Sequence, residues 1–433
     1  MNQAHAAGLT SGRHVLWADT HLPRLLVWVA TLVFLASYFI TKGPTTTEAD
    51  LINLTYLETV TIGVLLAIRH FLWRDDVLER IVWLALPVYF LLALHVLMIN
   101  DGNEMAYMIK LTRLFGYLVM VVLFVCCFFQ WRVFLQGLYW FSIASAGLAL
   151  CSALLFPQYF SDVGYGFPRA RAMLSEPSAF GPVLPMLLFL SIYRRNWLGV
   201  LLALSATYMA ASGTVYFVLV MAGTLLLLKH LTSRSMPRKF WVALASLTTG
   251  VLVLHMPLHH ALSGIFNYDR AIGQIQAVVF EYGGSTRLSS LFNYAFLFYE
   301  EDGLWFGKGL NAATVFFAEV PEWNLHMVSE FSLLHAVFFA FGLTGLAVLG
   351  ALLTYTLSVL WRHGSMEMLI VFSCFLFASL LNSSGGHVLY KFVYIFMLLA
   401  LQRAWQLRAA RQKSIPVKEQ GCRTILSLVP RST

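Results

Sequence analysis

The residues best suited to chemistry lie between 167 and 181. There Phe167-Pro168-Arg169-Ala170-Arg171 leads through Leu174-Ser175-Glu176-Pro177-Ser178 to Phe180-Gly181. Two arginines and a glutamate stand directly ahead of an apolar run, and charge held that close to lipid is costly unless it binds something or is paired. Alternate residues of an extended segment point to one side. Arg169 and Arg171 therefore present two guanidinium forks together, a geometry that suits phosphate oxygens. Pro177 fits the first turn of the helix that follows, and Ser175 or Ser178 can cap it. The free N–H groups of that helix start favour an anion beside them. The competing reading is an ion pair between an arginine and Glu176 that holds the loop, and the two readings are compatible.

Further candidates lie downstream. Thr286-Arg287-Leu288-Ser289-Ser290-Leu291 heads an aromatic-rich helical pattern running to about Glu301. Arg287 is either a third guanidinium on the same anion or a side chain that snorkels to lipid phosphate. Trp305-Phe306-Gly307-Lys308-Gly309-Leu310 sets a lysine between glycines, either in an ordinary turn or in one where backbone approaches a ligand closely. Lys308 and Ser178 are the weaker candidates for anion contact. His326 and Glu330 stand near the start of the next apolar run. A general base can come from either of them or from Glu176. No metal site is expected, because His255, His259 and His260 lack partners at ligand spacing and Asp75-Asp76 reads as solvated charge. No phosphate-cradling Gly-rich loop with its lysine and no hydrolase signature is present, so neither ATP-driven transport nor a cofactor is expected.

The elements that must hold these residues are apolar. Of 433 residues, 59% are hydrophobic and 12% charged, against about 25% charged in soluble domains. Such a chain cannot coat itself for water, which excludes a soluble enzyme, a disulfide scaffold and a disordered chain. The expected fold is an all-α polytopic membrane protein with about twelve spans. Apolar runs fall at 25–41, 52–68, 81–99, 111–129, 133–156, 179–193, 197–211, 214–228, 240–256, 331–360, 367–381 and 387–402. The second is weakened by Thr55, Glu58 and Thr61.

Lys and Arg concentrate in alternate loops: Arg69, Arg74 and Arg80, then Arg132, Arg194 and Arg195, Lys229 to Lys239, Arg362, and the tail from Arg403. By the positive-inside rule both termini are cytoplasmic. The polar start leads to a run long enough to span with no cleavage pattern after it, so no cleavable signal peptide is expected. The net charge of +8 resides in these loops and does not imply a nucleic-acid partner. Cys126, Cys127, Cys151 and Cys374 fall inside apolar runs and Cys422 in the tail, so no disulfide framework is implied. The resulting plan is a cytoplasmic segment 1–24 and spans through 25–256, interrupted by an external loop at 157–178. A large external loop at 257–330, further spans over 331–402 and a cytoplasmic tail at 403–433 complete it.

An external Arg-x-Arg…Glu-Pro-Ser-x-Phe loop, a large external loop with Arg-x-x-x-Leu and about twelve spans resemble the superfamily of Wzy-type polysaccharide polymerases and O-antigen ligases. The likeness covers about residues 165–345. It implies a GT-C-like membrane glycosyltransferase at the periplasmic face of a bacterial inner membrane. The implied donor is an undecaprenyl-diphosphate-linked glycan, with Arg169, Arg171 and Arg287 on the diphosphate and inversion at the anomeric carbon without a metal. A chain-length regulator and a flippase of the same pathway are the implied partners. Ligases of this superfamily resemble His-Asn-x-x-Leu followed by Gly-x-x-Gly, with the histidine about eleven residues ahead. Here Gly342 and Gly345 resemble the glycine pair, whereas His326 lies about sixteen residues ahead and position 331 is Phe331. Polymerase is therefore favoured over ligase, and a transport or export component is the alternative from another class.

Overall fold

The computed structural model describes residues 24–41, 54–73, 77–99, 104–155, 161–162, 169–174, 177–210, 212–233, 304–307, 332–381 and 387–414. Almost all of them are helical. In chain order the helices are α1 (Arg24–Phe39), α2 (Leu54–Trp73), α3 (Val77–Ile99), α4 (Glu104–Cys127), α5 (Trp131–Leu155), α6 (Phe180–Tyr193), α7 (Trp197–Ala210), α8 (Gly213–Ser233), α9 (Leu333–His363), α10 (Met366–Leu381) and α11 (His387–Ser414). Eleven of the apolar runs coincide with these helices, and the run at 240–256 lies outside the described residues.

Trp131–Ser152, Gly213–His230 and Leu333–His363 are long and apolar enough to cross a membrane. Other apolar helices are shorter, and α6 and α7 have 14 residues each. At 1.5 Å per residue 14 residues reach about 21 Å, short of the roughly 30 Å hydrocarbon core. The structure is thus that of an all-α membrane protein in which the 179–193 and 197–211 runs form a short, tightly packed pair.

That pairing follows from residue size. Gly199, Ala203, Ala206 and Ala210 fall on one face of α7 and are buried, while Trp197, Leu198 and Leu201 point away and are exposed. Small side chains let helix backbones approach closely where lipid supplies no hydrophobic drive. A Cβ on Gly199 would collide with Ser191 Oγ of α6. At the same crossing Tyr139 of α5 lies 3.1 Å from that hydroxyl and accepts from Asn196 Nδ2 at 2.9 Å.

The deepest core is aromatic and joins α1, α4, α10 and α11. Phe34 stacks on Phe124 with centroids 4.1 Å apart, and Phe375 stacks on Phe392 at 4.0 Å. Tyr38 sets its ring edge-on to both Phe375 and Phe392.

Polar contacts tie helix ends that the charge pattern assigns to one side. Arg69, near the end of α2, donates to Cys127 O at the end of α4. Arg194, after α6, pairs with Glu367 at the start of α10, 2.9 Å away. Lys229 of α8 donates to Trp361 O of α9. Arg362, next in sequence to Trp361, lies in the last turn of α9 and belongs to the same set of basic residues.

Candidate functional site

The arginine loop sits at the opposite helix ends, where α1 finishes and α6 and α8 begin. Arg169 and Ala170 form a two-residue strand β2, antiparallel to β1 (Ser161–Asp162), with Ser161 opposite Ala170 and Asp162 opposite Arg169. The extended geometry expected for Arg169 is present. It ends at once, because Ala172 takes φ +52 and Leu174 N donates back to Arg171 O at 3.1 Å.

Both arginines are buried, Arg171 with only 1% of its surface exposed. Arg171 donates through one terminal nitrogen to Ala172 O at 3.2 Å and Leu174 O at 3.3 Å. Arg169 Nε reaches Ala210 O, at the end of α7, at 3.4 Å. These contacts fix both guanidiniums in place, and each carries five N–H donors.

Two staples hold the loop, one to the last turn of α1 and one to Thr41, two residues past its end. Tyr38 OH donates to Ala179 O at 2.6 Å, and Thr41 N donates to Met173 O at 2.9 Å. Between these anchor points lies Pro177–Ala179, a 3-10 turn that runs straight into α6. Ser178 is buried in that turn and does not cap the helix as expected. Ala179 occupies the cap position at φ −66 and ψ −15, with no side-chain cap bond. A serine cap needs extended backbone at the cap itself, and the 3-10 turn has already closed the chain into helical geometry. Gly181 lets α6 start close to its neighbours, since a Cβ there would lie 2.6 Å from Thr214 of α8. Ser175, Glu176, Arg287, Lys308, His326 and Glu330 lie outside the described residues.

The glycine turn ahead of Lys308 makes its close approach to protein. At Gly342 (φ +60, ψ −152) helix α9 kinks, and Leu304–Gly307 crosses it there. Leu343 N donates to Leu304 O at 2.8 Å, and Thr344 donates through N and Oγ1 to Trp305 O. The turn supplies backbone hydrogen-bond partners beside the kink, where the helix ladder is interrupted. The His95 ring of α3 lies 5.3 Å from the Phe341 ring, next to the kink.

No family model matches the chain, and no curated protein matches it either.

Two features go beyond the sequence expectations. Lys391 of α11 and Glu58 of α2 form an ion pair at 3.1 Å with both side chains wholly buried. The ammonium also donates to Ser37 Oγ at 2.6 Å and to Phe34 O on α1, and it lies 3.8 Å from the Phe34 ring centroid. The signal was a single charge of each sign in two separate apolar runs, 52–68 and 387–402, which lipid forces together. The second feature is His335, buried one turn into α9, with Nδ1 2.7 Å from Ser332 Oγ. Ser332 is the N-cap of α9, its oxygen accepting from His335 N. A serine immediately ahead of an apolar run, as Ser332 is, is a legible cap signal. Among the described residues no group of three or more His, Cys, Asp or Glu side chains is placed to hold a metal ion.

Proposed function

We propose that this chain is a membrane-embedded glycosyltransferase that polymerises undecaprenyl-diphosphate-linked repeat units at the external face of the bacterial inner membrane, in exopolysaccharide or O-antigen synthesis. The observation that carries the reading is the burial of Arg169 and Arg171 on one short loop stapled to α1. Guanidiniums fixed before the reaction stabilise charge as it develops, without having to reorganise.

In the proposed step the anomeric C–O bond to the diphosphate breaks, and the leaving diphosphate takes the bonding electron pair. A hydroxyl oxygen of the acceptor glycan forms the new bond to the anomeric carbon from the opposite face. The hydroxyl proton passes to a base, for which Glu176, His326 and Glu330 are the candidates. Arg169 and Arg171, with Arg287, stabilise the departing diphosphate, and Ser178 and Lys308 are weaker contacts to it. No metal or cofactor takes part in the proposed step. A chain-length regulator and a flippase are the proposed partners.

The test is reconstitution of the purified protein with a lipid-linked repeat unit and a gel that resolves glycan length. A ladder is expected from this protein and donor alone. Arg169→Ala and Arg287→Ala should each abolish it with membrane expression intact. Lysine at either position should rescue poorly, because it lacks the planar fork. Full laddering by both alanine variants would overturn the diphosphate clamp. Transfer of a preformed glycan to lipid A core would replace polymerase by ligase, and neither product would leave polysaccharide export as the role.

A further inference from the structure

A buried ion pair needs a reason. Two apolar side chains of similar volume commonly stabilise a core as well as a buried pair does, because both ions must be stripped of water. Lys391 and Glu58 nevertheless occupy the centre of the packing between α1, α2 and α11. Their position relative to the arginine loop supplies the reason. Lys391 holds α1 at two points, the carbonyl of Phe34 and the hydroxyl of Ser37. The next residue, Tyr38, holds Ala179, and Thr41 holds Met173. The last turn and a half of α1 is thus gripped from below by the ion pair while it grips the loop on both sides of the Glu176-Pro177 step. Phe392, next to Lys391, meets the Tyr38 ring edge-on at 5.3 Å and stacks on Phe375, so α10 and α11 brace the same turn.

We propose that Lys391 and Glu58 are positioning residues that set the depth and rotation of the end of α1, and through Tyr38 and Thr41 the placement of Arg169 and Arg171. Charge is suited to this task. An ammonium that must satisfy a carboxylate, a hydroxyl and a carbonyl together accepts one arrangement of the three helices, whereas apolar side chains tolerate sliding. The assignment of a diphosphate to those arginines rests on the reading proposed above, and the positional coupling itself does not.

Three full-length variants separate the possibilities: Lys391→Met, Glu58→Gln, and the double Glu58→Gln/Lys391→Met. Each single change leaves a buried group without its partner and should lower thermal stability in detergent. The double change removes both charges and should recover most of that stability. The decisive readings are taken on the double variant. Hydrogen exchange across 169–180 should speed up relative to wild type, while the α6–α7 crossing around Gly199 stays protected. In the reconstituted assay the double variant should lose on the order of 10²-fold in kcat/KM for the lipid-linked donor, the scale of a misplacement of about 1 Å. Unchanged exchange over 169–180 in a stable double variant would overturn the proposal. So would wild-type kcat/KM in that variant. Faster loop exchange with no turnover by the wild-type protein would uphold the coupling and sink the glycosyl-transfer reading, so the two fail separately.

Discussion

Arg171 and Arg169 sit two residues apart, yet they are held differently, and a pair of substitutions should reveal it. Arg171 closes its own turn, donating to the carbonyls of Ala172 and Leu174 while Ala172 holds a positive φ. Removing it leaves buried carbonyls without that donor, at roughly 1–3 kcal/mol for each buried polar group left unsatisfied. Arg169 instead reaches across to the end of α7, its Nε 3.4 Å from Ala210 O, a long contact that closes no turn. Arg171→Ala should therefore lower the melting temperature in detergent clearly more than Arg169→Ala, by about 2 kcal/mol in stability. Equal melting temperatures would show that Arg171 does not brace the loop. The sequence made both arginines conspicuous, since the motif around 169–178 is compact. It did not separate their duties, because that depends on the left-handed turn at Ala172 and on which carbonyls α7 brings near. The Lys391–Glu58 pair was visible only as two isolated charges, because helix pairing across 333 residues of separation is not written in either segment.

At the scale of the element, α9 depends on its kink. Gly342 sits at φ +60 and ψ −152, a conformation that is essentially confined to glycine. A Cβ there would lie 2.5 Å from Leu304 O and 2.6 Å from Trp305 C, both backbone atoms that cannot swing aside. Gly307, across the same contact, has φ +74 and would meet Phe341 N at 2.5 Å. Gly342→Ala should thus destabilise the protein by about 3 kcal/mol, strain and displaced backbone together, read as a fall in melting temperature in detergent. Gly307→Ala should act in the same direction, and the double variant should cost less than the two added, since one crossing is lost only once. Gly350 of the same helix has open space within 4 Å of where a Cβ would stand, so Gly350→Ala should leave stability unchanged or raise it by up to about 1 kcal/mol. If all three glycine variants behaved alike, the crossing would have no special role. The apolar run at 331–360 announced this helix. The kink was not readable there, because Gly342 becomes necessary only when Leu304–Gly307 arrives from another part of the chain.

At the scale of the whole molecule, the alternation of basic loops along the chain and the contacts between helix ends divide the same helices in the same way. Arg69 with Cys127, Arg194 with Glu367 and Lys229 with Trp361 join ends that share the basic loops. Tyr38, Thr41, the arginine loop and the start of α6 gather at the other ends. These contacts differ in weight. The Arg194–Glu367 pair is about a quarter to a third exposed, so Glu367→Gln should cost no more than about 1 kcal/mol. The expected orientation therefore rests on the summed basic charge along the chain, not on any one pair. A cysteine-labelling experiment tests it directly. With the five native cysteines replaced, a cysteine at Asn196, in the turn between α6 and α7, should be shielded from an impermeant maleimide in intact cells and become reactive once the membrane is opened. A cysteine at Asn103, beside Asp101 and Glu104 in a loop of the opposite set, should react in intact cells without that step. The reverse pattern would invert the molecule and place Arg169 and Arg171 on the cytoplasmic side, where a donor displayed outside could not reach them. Labelling of both sites in intact cells would break the alternation itself, because the chain between the two sites would then not change sides as the basic residues require.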